Sequence, residues 1–359
     1  MRRKASSKLR ARTTQGVGMT NHSNEQNEAS FSSLELSDFI TRCMSAVGAN
    51  QTDAEYMAHH LISAELAGHH SHGLRRLPEY VGRAVEGKTN PAAKISIEKD
   101  TGALLALNAN RATGHFALRD ATALAVQRSK EHGISAVTVR NSDFAGRFAP
   151  FCEEAAEAGV ITLVFGNNNG SLQSVLPPGA TQPRLSTNPI AAGVPRAQAP
   201  HMVLDFATSA VASGRLHYEK DSGAEVSDEW VGSGGHLKPF GGFKGFGLAL
   251  LVEALGGALS GSDTVSARDS EEAQGTLIIA IDVAQLRDLN EYTAQVEEFI
   301  SFVKSAEVET GQSPVRAPGE NAPSAEQLAK DTIITLNTVT STQLLQIAEQ
   351  LNLDAPAAR

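Results

Sequence analysis

The sequence predicts an α/β protein whose sheet is covered by helices on both faces, and three observations carry that prediction. The middle of the chain alternates strand, helix and strand: residues 134–140, a helix at about 148–158 closed by Gly159, and "VITLVF" at 160–165. These strands are almost wholly apolar, as strands buried on both faces are. The chain has 359 residues, 41% of them hydrophobic and 20% charged, a composition that can bury a real core. That length favours two domains, or one domain with an elaboration.

Each element follows from its local pattern. Leu36, Phe39, Ile40 and Met44 recur at helical spacing behind Ser37-Asp38, and "TDAEYMAHHLISAELAGHH" starts a second helix from Thr52-Asp53. Short β-like runs follow at 93–98 and 103–107, then a helix at about 115–132 ending at Gly133. The stretch 166–195 is dense in Gly, Pro, Asn and Ser and reads as a long loop, which in a compact domain is usually functional. A strand at 202–206 leads to a helix at 209–217, a polar Gly-rich stretch at 219–242 and the strongly apolar helix "GFKGFGLALLVEALGGALSG". "GTLIIAID" reads as another central strand; "LNEYTAQVEEFISFVKSA" and "TSTQLLQIAEQLNL" read as helices. The expected division is a disordered extension at 1–30, a helical part at 31–110 against which helices of 285–359 pack back, and an α/β core at 111–284.

Composition excludes several function classes. No apolar run reaches the roughly 18 residues a membrane span requires. The net charge is −9, but the first 24 residues carry six Lys or Arg and no acid, leaving −15 on the remainder, a body that repels nucleic acid. The extension lacks the apolar region of a secretory signal. Two cysteines, Cys43 and Cys152, without ligand spacing, read as reduced structural thiols in a cytoplasmic protein.

Two segments could carry chemistry. In "GHHSHGLRRLPEY", Ser71, His72, Arg76 and Tyr80 fall close together, with Arg76 and Tyr80 four apart. An imidazole, a guanidinium and hydroxyls suit a small carboxylate; equally, histidines at a helix end interact with its dipole. Five histidines between 59 and 72 invite a metal, but no HExxH is present and the ligands would leave several faces of a helix, so none is expected. The second segment is Gly-rich: "PPGATQPRLSTNP" and "GGFKGFG", the latter placing Lys244 near a helix N-terminus that favours phosphate. Neither a Rossmann fingerprint nor a P-loop is present. There is no GxSxG elbow to support Ser71 as a nucleophile.

Together "SHGLRRLPEY", "VRNSDFAG", "LSTNPIAAGVP", "VLDFATSAVASG", "GGFKGFGLALLVEALGGALSG", "GTLIIAID" and "VRAPGE" resemble the malate/L-lactate dehydrogenase family, which includes ureidoglycolate and sulfolactate dehydrogenases and cyclic imino acid reductases. The resemblance runs from about residue 36 to 353. It implies a non-Rossmann NAD(P)-binding fold with a mixed sheet and a smaller helical N-terminal part. It further implies an NAD- or NADP-dependent dehydrogenase acting at C2 of a small 2-hydroxy or 2-oxo acid, and a homodimer. Carried over by position, Ser71, His72, Arg76 and Tyr80 match the substrate-side segment. Asn168, Thr187, Asn188, Pro189, Asp205, Lys244, Arg316 and Gly319 match segments lining the dinucleotide.

Two departures stand out. The family keeps a general acid/base histidine in an Asn-Ser-x-His-x-Gly pattern, and here that position holds Phe144, in Asn141-Ser142-Asp143-Phe144-Ala145-Gly146. The stretch from Tyr218 to Phe240 is shorter than its family counterpart. A phenyl ring neither donates nor accepts a proton, so three outcomes follow. His72 or Asp143 takes the role; or the substrate is a cyclic imine, whose protonation precedes hydride arrival; or the protein binds dinucleotide without catalysis.

Overall fold

The computed structural model describes residues 28–168, 173–221, 226–267 and 273–359. The expected N-terminal extension therefore lies almost wholly outside the described residues. In chain order the chain forms β1 (Ala29–Ser32), α1 (Ser33–Ala46), α2 (Gln51–Leu66), α3 (Leu77–Val85), β2 (Ser96–Asp100), β3 (Leu104–Asn108), α4 (Gly114–His132) and β4 (Ile134–Ser142). It continues through α5 (Ala149–Glu157), β5 (Val160–Asn168), β6 (Ile190–Val194), β7 (Met202–Phe206), α6 (Ser213–Asp221) and α7 (Phe243–Val252). The last elements are β8 (Gln274–Asp282), α8 (Leu289–Lys304), α9 (Ala325–Ala329), β9 (Ile333–Leu336) and α10 (Thr338–Leu351).

Seven strands form a mixed sheet in the order β2-β3-β4-β8-β5-β6-β7. Only β3 and β4 pair in parallel, joined by the crossover helix α4. Strands β2 and β3 fall before residue 110 yet belong to this sheet, so the α/β layer begins earlier in the chain than the expected division places it. One face carries Val137, Val139, Val160, Val164, Ile278 and Ala280, packed under Ala117, Leu118, Ala121 and Ala125 of α4 and Phe151 and Cys152 of α5.

The opposite face is covered at one end by the continuation of α7, a wide helical turn over Glu253–Ala258. A Cβ at Gly275 would stand 2.1 Å from the Gly256 carbonyl oxygen, so only glycine lets this turn lie on the strand. Away from it, Leu104, Ile134 and Leu163 remain exposed on an apolar sheet surface.

A second core joins α1, α2 and α3 to the chain's end. Leu36, Phe39, Ile40, Met57 and Leu61 pack with Tyr80, Ile334, Leu344 and Ile347, and β1 pairs antiparallel with β9. Of the C-terminal segments, β9 and α10 contribute to this core. Asn50 and Asn337 cap α2 and α10 by accepting the backbone N–H of Asp53 and Thr340.

Two readings of the sequence change. The stretch expected as one long loop contains β6, with Leu163 opposite Ala192. The helix expected at 209–217 starts at Ser213, because Ser209 bridges Pro239 and the Ala210 N–H donates to Lys238. Val175, Leu185, Leu216 and Leu237 then form a small third cluster that closes over the sheet's end.

Candidate active site

The ends of β4, β5, β6 and β8 open onto a cleft built of two chambers, about 540 and 410 Å³ in volume. Both are lined by His72, Gly146, Thr187, Pro189 and Ala212, which makes His72 the side chain at their junction.

His72 is held there by a chain of local causes. After α2, the backbone turns at Gly68, and the buried Glu65 carboxylate accepts the Leu74 N–H at 2.7 Å and meets His70 Nδ1 at 2.6 Å. A Cβ at Gly73 would stand 2.1 Å from Glu65 Oε1, so the loop closes only around glycine. Ser71 Oγ lies 2.9 Å from His72 Nδ1, leaving Nε2 for the cleft.

Burial, then the charges of Arg76 and Arg147, hold the His72 imidazole down to about 3. At neutral pH the ring is uncharged. Behind Gly146, His115 is likewise held down to about 3 by burial, and among the described residues its Nδ1 has no hydrogen-bond partner.

The structure brings some candidates together and not others. Arg76 and Phe144 line the first chamber with Asn168, Thr187 and Pro189; Ser71, Asp205 and Gly319 line the second. Arg76 is already engaged, its Nη1 2.5 Å from Glu79 Oε2. Tyr80 is fully buried in the helical core rather than on the cleft. Asn188 lies beneath the wall, donating to Glu253 Oε1 at 2.8 Å and to the Ala249 carbonyl.

Asp143 is outside both chambers. Arg83 Nε donates to its Oδ1 at 2.8 Å, and burial pushes its carboxyl up to about 6. The reason is the turn at Asn141, which has a φ of 56° and sends Asp143 away from the cleft and the Phe144 ring toward it. The Arg83 guanidinium covers that ring at 5.0 Å. Lys244 is exposed at the start of α7 and Arg316 donates to Asn321 Oδ1 at 2.8 Å; neither lines the cleft.

Sequence reading missed Arg147, His115, Glu79 and Gln274. Gln274 Oε1 accepts the Ala145 N–H at 3.1 Å and its amide reaches Asn168 Oδ1 at 3.4 Å, fixing the 143–148 loop to β5. Arg147 had one readable signal, a cation just before a helix start, where the dipole disfavours it.

The buried imidazoles make the fold acid-sensitive. His60 is also held well below the ordinary value by burial. Below pH ~6.5 the unfolded chain takes up protons that these folded groups refuse, so stability falls by about 1.4 kcal/mol per pH unit for each group. Asp143, raised to about 6, and Glu153, Glu154 and Asp205, also raised by burial, oppose them, their burial cost vanishing as they protonate. The urea midpoint is expected to drop from pH 7 to pH 5, and to drop less in His115→Gln. A midpoint that holds or rises at pH 5 would contradict this.

Comparison with known proteins agrees with this architecture. Residues 31–345 match the family model described as malate/L-lactate dehydrogenase. The chain is 32% identical over 313 residues to hydroxycarboxylate dehydrogenase B of Escherichia coli K12, covering 81% of this chain and 85% of that protein. It is 31% identical over 243 residues to a Delta(1)-pyrroline-2-carboxylate/Delta(1)-piperideine-2-carboxylate reductase of Pseudomonas syringae pv. tomato, covering 64% and 70%. The crystal structure of malate dehydrogenase from Entamoeba histolytica superposes with a TM-score of 0.82 at 26% identity, covering 92% of this chain and all of that one. With the mixed sheet, the helical N-terminal part and a match over most of its length, the chain belongs to the malate/L-lactate dehydrogenase family.

Proposed function

We propose that the protein interconverts a small 2-oxo acid and its 2-hydroxy acid in the cleft centred on His72. As a family member it is an NAD(P)-dependent oxidoreductase of hydroxy acids. The observation that carries the reading is the position of His72, an unprotonated imidazole oriented by Ser71 where the two chambers meet.

The first chamber fits a dinucleotide. Its rim carries Arg76, His217, Lys220 and His236 against one acid, Glu79, and it is bordered by the start of α6 at Ser213-Gly214, whose free N–H groups favour phosphate. Asn168, Thr187 and Pro189 would line that molecule; Asn188 would hold the turn from beneath. When bound, the nicotinamide supplies or takes the hydride. The chain's own work is then to hold the acid's carboxylate, for which Arg76 and Arg147 stand on either side of His72, and to move one proton at the substrate oxygen. His72 Nε2 accepts that proton on oxidation and returns it on reduction. Phe144 adds an apolar wall that excludes water without handling charge.

The test is oxidation of NADH and NADPH over a panel of 2-oxo acids and cyclic imino acids. Turnover of a 2-oxo acid is the expected result. Turnover of cyclic imines alone would move the assignment to imine reduction, and no turnover with no dinucleotide-dependent rise in melting temperature would end the reading. In the same assay Phe144→His is expected to raise ketone reduction, since it adds a proton donor to an open wall; a loss would mean the ring itself shapes the substrate.

The homodimer is part of the proposal. Phe243, Leu250, Leu251 and Leu259 are 75%, 48%, 44% and 59% exposed along α7 and its continuation, and the open sheet face adds Leu104, Ile134 and Leu163. Light scattering is expected to give twice the chain mass. Among the described residues no helix is long and apolar enough to cross a membrane. A cytoplasmic location is proposed from the buried free thiols Cys43 and Cys152.

A further inference from the structure

Among the described residues, the buried Arg83 and the half-buried Arg119 and Arg196 come with carboxylates. Arg83 has Asp143 at 2.8 Å, Arg119 has Asp53 at 2.8 Å and Arg196 has Glu297 at 2.7 Å. Arg147 breaks the pattern. Its Nη2 donates to Ser63 Oγ at 3.2 Å, and among the described residues no carboxylate oxygen lies within 4.0 Å of it.

The nearest acids are otherwise used or set apart. Asp205 Oδ2 accepts the N–H groups of Phe148 and Ala149 at 2.7 and 2.9 Å, capping α5, and Glu153 lies on the same chamber wall beyond ion-pair distance. Arg147 therefore bears two costs, desolvation of a cation and a place beside a helix N-terminus, which the fields of Asp205 and Glu153 offset only in part and no direct ion pair relieves. Burial in turn holds its guanidinium below the ordinary arginine value.

A cost of this kind persists where a ligand offsets it. Arg147 lines the second chamber with His72, and only Gly146 separates it in sequence from the backbone shared by both chambers. Gly146 has a φ of 66°, and a Cβ there would stand 2.8 Å from His115 Nε2, so only glycine fits at the point the two chambers share. Arg76, by contrast, already has Glu79 at 2.5 Å.

We propose that Arg147 holds the carboxylate of the 2-oxo acid in the second chamber, presenting the C2 oxygen to His72, while Arg76 stays paired with Glu79 on the wall of the first chamber. The planar fork of a guanidinium matches a carboxylate in two hydrogen bonds. This rests on the reduction of 2-oxo acids proposed above and names the residue that binds them.

The experiment compares wild type, Arg147→Gln, Arg147→Lys and Arg76→Gln with the best 2-oxo acid, and measures oxalate binding by calorimetry as a turnover-independent probe. Arg147→Gln is expected to raise KM for the acid and weaken oxalate by about 10- to 100-fold, leaving KM for the dinucleotide unchanged. Arg147→Lys, which keeps the charge and loses the fork, should fall between. If Arg147→Gln does not fold by circular dichroism, Arg147→Lys alone decides.

An unchanged KM and oxalate affinity in a folded Arg147 variant overturns the assignment, as does a loss confined to Arg76→Gln or to dinucleotide binding. Oxalate binding that requires Arg147 in a protein reducing no 2-oxo acid would uphold the anion site and remove the proposed reaction. Absence of oxalate binding by the wild type would count against the site itself.

Discussion

Replacing His72 by alanine is expected to lower kcat for the 2-oxo acid by about 10²- to 10⁴-fold, the usual cost of removing a positioned acid/base. The expectation follows from geometry. His72 lines both chambers, Ser71 fixes its Nδ1 at 2.9 Å, and Phe144 on the neighbouring wall can take no proton. Ser71→Ala should cost much less, since it frees the ring to rotate without removing it. Because the imidazole rests near 3, oxidation of the hydroxy acid should show no inflection at the ordinary histidine value of about 6.5. Steady-state rates across pH, with kcat and KM resolved, would check both statements. A His72→Ala enzyme within tenfold of wild type would place the proton transfer elsewhere, with His115 behind Gly146 the next group to examine.

Glu253→Ala is expected to be the most damaging change outside the cleft. Glu253 lies beneath the Thr187-Asn188-Pro189 turn, where its carboxylate accepts from Asn188 Nδ2 at 2.8 Å, Asn167 Nδ2 at 3.3 Å and the Val265 N–H at 2.9 Å. Truncation leaves the buried Val265 N–H unpaired and takes one of two acceptors from each of Asn188 and Asn167, which keep the Ala249 and Asp263 carbonyls, so the loss is roughly 1–3 kcal/mol. The turn it anchors forms the wall common to both chambers, so KM for the dinucleotide should rise alongside the loss of stability. Glu253→Gln keeps an acceptor and should lose less of each. Urea unfolding with steady-state kinetics would test this; a folded Glu253→Ala protein of wild-type stability would show that the network is not what holds the turn.

How legible the site was depended on whether its residues announce themselves locally. Ser71, His72 and Arg76 sit in one short segment and were readable as a group, as was Thr187-Asn188-Pro189 in its Gly- and Pro-rich surroundings. Asn188 shows the limit. Its motif identified the turn, but its side chain points down to Glu253, a partner 65 residues away that no spacing rule connects to it. Lys244 stood out as a lysine at a helix start, yet the helix is aimed so that the side chain meets solvent. The fold shows the same split. Helices α1, α2 and α4 carry their periodicity in the chain, though Ser32 and Asn50 rather than Ser37-Asp38 and Thr52-Asp53 cap the first two, whereas β6 hid in a loop-like composition, because its pairing with β5 and β7 supplies what local propensity does not.

The sequence by itself determined the α/β class, the apolar strands and the segment bearing His72, since each is set by side-chain pattern over a few turns. It also determined that position 144 cannot carry a proton. The tertiary structure decided which groups share a space. It turned Asp143 into an ion pair with Arg83, put Tyr80 in a core, bound Arg76 to Glu79, and set Arg147 on the chamber that His72 lines, with no direct ion pair among the described residues. The physical reason is that the energy of a buried charge depends on what lies within a few ångströms of it. Those neighbours come from distant parts of the chain, so only folding assembles them.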